Sequence, residues 1–207
     1  KLIATHPGMD GGYDGATHHA NEDLALMRVL PNLKILAPSN PDELKAAVRI
    51  AIAHQGPVYI RCVRDAVPNL PAKEAVQMGK AVVVEDDGND FALIYEGSAT
   101  ELAFKSFEAC REKGKKGKLI NLFSVKPVDR DLIRQTAGTV ERIVTIENHS
   151  VIGGLGGLIA ETVCDMPGHA PVLRVGVEDV FTESGPSGLV KEKYGLNVEH
   201  VLEQLGY

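Results

Sequence analysis

Short apolar runs alternate along the chain with stretches whose apolar positions recur at helical spacing. That alternation predicts strand and helix units and a mainly parallel sheet. Leu2-Ile3-Ala4 reads as the end of a strand, and Asn21 to Leu30 as a short helix with acids at its start. Leu33 to Ala37 is the next apolar strand, stopped by Pro38. Ser39-Asn40-Pro41-Asp42-Glu43 then carries the cap, proline and acids of a helix start. This helix is expected to run to about His54, burying Leu44, Ala47, Val48, Ala51 and Ile52 on one face. Gly56-Pro57 turns the chain into a strand from Val58 to Arg64. Arg64 therefore falls at the carboxyl end of a strand, the side where open α/β sheets bind ligands.

The stretch 65–79, with Pro68 and Pro71, loses this periodicity. A linker is expected at 69–79, between a first unit at 1–68 and a second at 80–207. In the second unit, Lys80 to Glu85 reads as an entry strand and Phe91 to Tyr95 as a core strand. A helix follows from Gly97 to about Lys113, then a strand at Lys118 to Leu122 and a helix at Asp129 to Thr136. Arg142 to Glu147 is expected as the central strand, leading through Gly153 to Gly157 into a helix that ends near Cys164. Val172 to Val177 closes the sheet, and Gly188 to Tyr194 and Val198 to Leu205 are terminal helices. The fold class is thus α/β, as two α/β domains with mainly parallel sheets.

Composition narrows the partners. The 207 residues hold 22 basic and 28 acidic side chains, a net charge of −6, with no basic stripe, so nucleic acid is not an expected partner. No apolar run approaches the roughly 20 residues that span a bilayer, and no signal-peptide pattern opens the chain. No membrane association is expected, and the cytoplasm is the default compartment. Cys62, Cys110 and Cys164 are odd in number and widely spaced, which reads as reduced, mostly buried thiols. The chain begins at Lys1-Leu2-Ile3-Ala4 in what looks like the interior of a strand, so it is expected to be a fragment.

The candidate chemistry gathers in Thr5 to His19. Gly8, Gly11, Gly12 and Gly15 permit positive φ and close approach of a ligand, while His6, His18, His19, Asp10 and Asp14 offer hydrogen bonds and proton transfer. Taken alone, such a loop also fits a solvated surface segment, with His6 solvent-facing, Arg64 in a surface ion pair and Asp14 satisfying its own turn. A metal site from the same side chains fits neither the two-His zinc helix nor the twelve-residue calcium loop. Gly153-Gly154-Leu155-Gly156-Gly157 lacks the last glycine of the dinucleotide fingerprint, because position 159 is Ile. A tight strand-to-helix turn explains that run, with Glu147 and His149 as structural residues.

Several motifs in fixed order resemble a known family. The run from His6 to His18 holds Gly12-Tyr13-Asp14-Gly15-Ala16-Thr17-His18; Glu22 to Arg28, Leu30-Pro31-Asn32 and Ala37-Pro38 follow, then Gly56 to Arg61 with Arg64. Together they resemble the pyrimidine-binding domain of transketolase, and the chain from 80 onward resembles the transketolase carboxy-terminal domain. The resemblance implies that residues 1–68 are the carboxy-terminal part of the first domain. It also implies that His6 and Arg64 hold the terminal phosphate of a sugar phosphate, the eight-residue separation of His6 from Asp14 fitting that pattern. Asp14 would recognise a hydroxyl beside the donor carbonyl, and His18 would hydrogen-bond or shuttle protons near the reacting carbons. Asp10 and His19 match less securely and are left out.

By the same resemblance, the complete enzyme transfers a two-carbon ketol unit using thiamine diphosphate with Mg2+ or another divalent metal, and works as a homodimer. The diphosphate and metal motif, and the glutamate that activates the cofactor, are expected in an amino-terminal half or subunit outside this chain. Alone, the chain is expected to be inactive. The second enzyme reading is 1-deoxyxylulose-5-phosphate synthase, which shares the Asp-Gly-x-Thr-His-His pattern including His19. A non-catalytic dimerisation or regulatory module is the third.

Overall fold

The computed structural model describes residues 1–64, 66–67 and 75–207; residues 69–74 of the expected linker lie outside these. In the first unit, β1 (Leu2–Thr5) is followed by the Gly-rich loop, α1 (Asp23–Arg28), β2 (Lys34–Leu36), α2 (Pro41–Ala53) and β3 (Val58–Cys62). Asn40 caps α2 as its sequence implies, its Oδ1 accepting from the N–H groups of Asp42 and Glu43 at 3.1 and 2.9 Å. Ala47 and Ala51 face the core under Leu36 and Ile60. Ile52, expected on that face, is 76% exposed, because it falls a further 100° around the helix from Ala51.

The second unit runs β4 (Val82–Asp86), β5 (Phe91–Tyr95), α3 (Thr100–Glu112), β6 (Gly117–Asn121), β7 (Ser124–Lys126), α4 (Arg130–Ala137), β8 (Ile143–Ser150), α5 (Leu155–Val163), β9 (Val172–Val177), α6 (Ser187–Lys193) and α7 (Val198–Leu205). Its five-stranded sheet has the order β4-β6-β5-β8-β9, parallel except for β4 on β6. β5 is therefore the middle strand. β8, expected to be central, lies between β5 and the edge strand β9. Alternation along β5 divides the core into two layers: Leu93 and Tyr95 join Phe107 of α3 and Val201 of α7, while Ala92 and Ile94 join Ile133 of α4 and Ile159 of α5.

The first sheet has the order β1-β3-β2-β7. β1 and β2 flank β3 in parallel, but β7 comes from the second unit and pairs antiparallel with β2, Ile35 opposite Lys126. Apolar spacing does not announce β7, a three-residue segment with only one apolar side chain, Val125. It ties the first sheet to the second unit. Cys62 and Cys110 are buried and Cys164 is exposed, all three unpaired. Among the described residues no helix is long and apolar enough to cross a membrane.

Candidate active site

The loop between β1 and α1 is closed at its neck by two backbone hydrogen bonds: Gly8 N–H donates to Ala20 O at 3.0 Å, and Ala20 N–H to Gly8 O at 2.9 Å. Within it, Met9–Asp14 makes a 3-10 turn. Gly8 has φ 55° and Gly12 φ 53°, so both positions lie in left-handed space that favours glycine. A Cβ on Gly8 would stand 2.0 Å from the carbonyl oxygen of Asn148. Met9 is fully buried in the core layer that contains Leu93 and Tyr95, so the first unit's loop is anchored in the second unit.

The four side chains singled out from the sequence lie on or against this loop. Asp14, His18 and Arg64 are exposed and His6 is half-buried. His6 adopts φ 64°, an uncommon conformation for a non-glycine residue, and its Nδ1 hydrogen-bonds Thr5 Oγ1 at 2.8 Å. His18 Nδ1 hydrogen-bonds Thr17 Oγ1 at 2.9 Å. Arg64 Nη1 donates to the backbone oxygen of Asp10 at 3.2 Å, which joins the end of β3 to the loop. Among the described residues, none of the four hydrogen-bonds another.

His19 turns the other way. It is buried, its Nδ1 bonded to Thr182 Oγ1 and its Nε2 3.3 Å from Gly12 O. A cavity of about 540 Å³ between β4 and α4 is lined by Lys80, Asp129 and Gln135, and by none of the four candidate residues.

Beneath the loop lies a buried polar network that sequence reasoning did not find. Arg61 is 1% exposed and grips Asp23 with two donors, Nε to Oδ2 at 2.8 Å and Nη2 to Oδ1 at 2.9 Å. Its Nη1 meets Glu96 Oε2 at 2.9 Å, and Nη2 also donates to Asn148 O at 2.9 Å. Tyr59 OH donates to Asp23 Oδ2 at 2.7 Å. Burial opposes charge on Arg61, but Glu96 and Asp23 outweigh it and raise its pKa above the usual guanidinium value. Burial likewise opposes charge on Asp23, and Arg61 overrides it, holding the carboxyl below its ordinary range. The sequence signal was present as Arg61 inside an apolar strand, where a charge has to be paired.

Asn148 carries that network to the loop. Its Oδ1 accepts from Met9 N–H at 2.9 Å, and its Nδ2 donates to Pro7 O at 3.1 Å and to Asp10 Oδ1 at 2.9 Å. Glu147 is fully buried and caps α5 through Leu155 N–H and Gly156 N–H. Burial pushes its carboxyl up to about 8 against the pull of those two N–H groups. Burial, and then the charge of Arg61, lower the pKa of His149.

The resemblance implies a divalent metal and a diphosphate. Among the described residues no group of three or more His, Cys, Asp and Glu side chains is arranged to hold a metal ion.

Comparison with known proteins agrees with the fold. Residues 1–69 match the family model of the transketolase pyrimidine-binding domain, and residues 79–201 that of the transketolase C-terminal domain. A protein described as a transketolase C-terminal section in Methanocaldococcus jannaschii is 32% identical over 99% of this chain and 65% of its own length. The 1-deoxy-D-xylulose-5-phosphate synthase of Methylacidiphilum infernorum is 37% identical over 93% of this chain but 31% of its own. A split-gene transketolase, solved as an inactive beta4 tetramer, superposes with a TM-score of 0.89 at 37% identity, over 99% of this chain and 65% of that one. The chain thus spans about two thirds of the C-terminal section and split-gene chain that it matches. With both family models matched in order across nearly its whole length, the chain belongs to the transketolase family.

Proposed function

We propose that this chain forms the sugar-phosphate face of a transketolase, whose complete form moves a two-carbon ketol unit from a ketose phosphate to an aldose phosphate. The observation that carries this reading is the setting of Arg64: an exposed guanidinium at the end of a strand, docked on the Gly-rich loop through one donor. A guanidinium has five N–H donors, so this contact leaves a fork for a phosphate. His6, at the loop's start, supplies a second donor. Asp14 accepts from the hydroxyl beside the donor carbonyl, and His18 donates to or carries a proton at the reacting carbons. The domains on this reading are 1–68 and 80–207 with a linker at 69–79, close to the two family-model matches.

The family works with thiamine diphosphate, which when bound supplies the carbanion chemistry of ketol transfer. We assign its diphosphate and Mg2+ to an amino-terminal half or subunit, in keeping with the chain's span of about two thirds of the relatives it matches. The chain by itself is then inactive, and the working enzyme is a homodimer of completed units.

The synthase reading rests on the shared Asp-Gly-x-Thr-His-His pattern, whose last residue, His19, is bonded inward to Thr182 and Gly12. The test is substrate discrimination in the completed enzyme. Arg64→Ala is expected to lower kcat/KM for a ketose phosphate by ~10- to 100-fold, matching the loss of one charge-assisted contact, with little change for the same sugar without phosphate. Equal losses for both sugars would contradict the phosphate role.

A further inference from the structure

After β9 the chain turns back and runs along the Gly-rich loop. Thr182 Oγ1 bonds His19 Nδ1 and accepts from Asn21 Nδ2 at 3.3 Å. Gly185 N–H donates to Gly12 O at 3.3 Å, and Ser187 Oγ to Met9 O at 3.4 Å. Val190 of α6 packs in the same apolar layer as Met9. This run of contacts ends in an ion pair: Lys191 Nζ lies 2.6 Å from Asp10 Oδ1.

Asp10 is fully buried, and a buried carboxylate is tolerated only when charge and hydrogen bonds compensate it. Its Oδ1 receives both Lys191 and Asn148 Nδ2, and its Oδ2 lies 3.4 Å from Arg64 N–H. Since Arg64 Nη1 also bonds Asp10 O, the backbone and the side chain of Arg64 are both referenced to this one residue. Asp10 is thus the point where Lys191, Asn148 and Arg64 meet.

We infer that Thr182–Lys191 is a brace for the sugar-phosphate loop, and that Lys191, through Asp10, is a positioning residue for Arg64 and the loop histidines. The assignment of what is positioned rests on the function proposed above; the brace itself does not. Lys191 touches no substrate on this account. It fixes where the phosphate-holding groups stand, and so it governs KM for phosphorylated sugars more than the rate of the chemical step.

The experiment takes the full chain with Lys191→Met and Lys191→Arg and reads two quantities. The first is amide hydrogen exchange, which needs no activity. In Lys191→Met, exchange at Met9 to Gly15 is expected to rise by about tenfold or more while β5 and β8 stay protected, and Lys191→Arg is expected to stay within about threefold of the parent. The second is kinetics after completion with an amino-terminal half. Lys191→Met is expected to raise KM for a ketose phosphate by about tenfold with kcat within about threefold, and Lys191→Arg to restore KM.

Unchanged loop exchange in Lys191→Met overturns the brace. Loosened exchange with equal losses in kcat and KM, or with no rescue by arginine, overturns the positioning role. An inactive parent mixture counts against the proposed function alone, and hydrogen exchange then decides the brace. If Lys191→Met loses protection throughout, the double variant Asp10→Asn/Lys191→Met removes both charges of this ion pair. Loop exchange raised in it supports the brace, and loop exchange unchanged overturns it.

Discussion

Asn148 Nδ2 donates to the carboxylate of Asp10 at 2.9 Å across 138 residues of sequence, joining the loop of the first unit to β8 of the second. The same amide holds Pro7 O and Met9 N–H, so one side chain fixes the loop's entry at three atoms. Replacing it leaves a buried N–H, a carbonyl and one carboxylate contact unmet. Asn148→Ala is therefore expected to cost ~1–3 kcal/mol in a urea unfolding curve and to speed amide exchange in the loop. A loss confined to the loop's exchange, with an unchanged midpoint, would show that the contacts order the loop without supporting the fold.

Arg61 presents a sharper case, since two acids and a backbone carbonyl converge on it. Arg61→Met removes the guanidinium that pairs with both acids and leaves Glu96 buried and Asp23 part-buried without it. A loss of ~3–5 kcal/mol is expected by chemical denaturation, the range for uncompensated buried charge. Arg61→Lys rescues little, because an ammonium cannot reproduce the planar two-donor grip on Asp23. Full stability in Arg61→Met would mean that the network contributes nothing net to the fold.

Gly8 is tested by its missing side chain. At φ 55°, and with Asn148 O only 2.0 Å from where a Cβ would stand, no rotamer choice relieves the contact, since Cβ itself is the atom that collides. Gly8→Ala is expected to destabilise by more than ~1 kcal/mol and to displace the loop neck. The measurement is the denaturation midpoint together with exchange at Gly8 and Ala20 N–H.

Glu147 gives a pH dependence. Its folded pKa of about 8 lies above the ordinary 4.5, so between those values the folded state holds a proton that the unfolded state has released. Stability from this group therefore falls as pH rises through that window, with a limiting slope of ~1.4 kcal/mol per pH unit. His149 works in the opposite sense: its pKa is lowered, so its share of stability is lost as pH drops below its ordinary 6.5. Glu147→Gln is expected to gain stability relative to the parent as pH rises from 5 toward 8, measured by urea midpoints at each pH. A constant difference across that range would contradict the raised pKa.

Much of this architecture could be read from apolar spacing. Phe91 to Tyr95 became β5 because five consecutive buried side chains suit a strand covered on both faces. Asn40 and Asp129 declared helix starts and cap them. Other features escaped because they depend on distant partners. Ser124-Val125-Lys126 is a strand only because β2 offers it an edge. Arg61 fell within the expected strand from Val58 to Arg64 with nothing local to show that Asp23 and Glu96 would meet it, and Asp10 was set aside although Lys191, Asn148 and Arg64 all converge on it. Residue identity located the loop; the side chains that hold it in place come from regions whose sequence carries no mark of that task.

The central claim is that this chain completes a split ketol-transfer site. Its most direct test is ketol transfer from xylulose 5-phosphate to ribose 5-phosphate, with thiamine diphosphate and Mg2+, by this chain alone, by a separately produced amino-terminal half, and by the two mixed. The account predicts turnover in the mixture only, abolished or strongly reduced by His18→Ala. Turnover by this chain alone, or none from halves shown to associate, would contradict it.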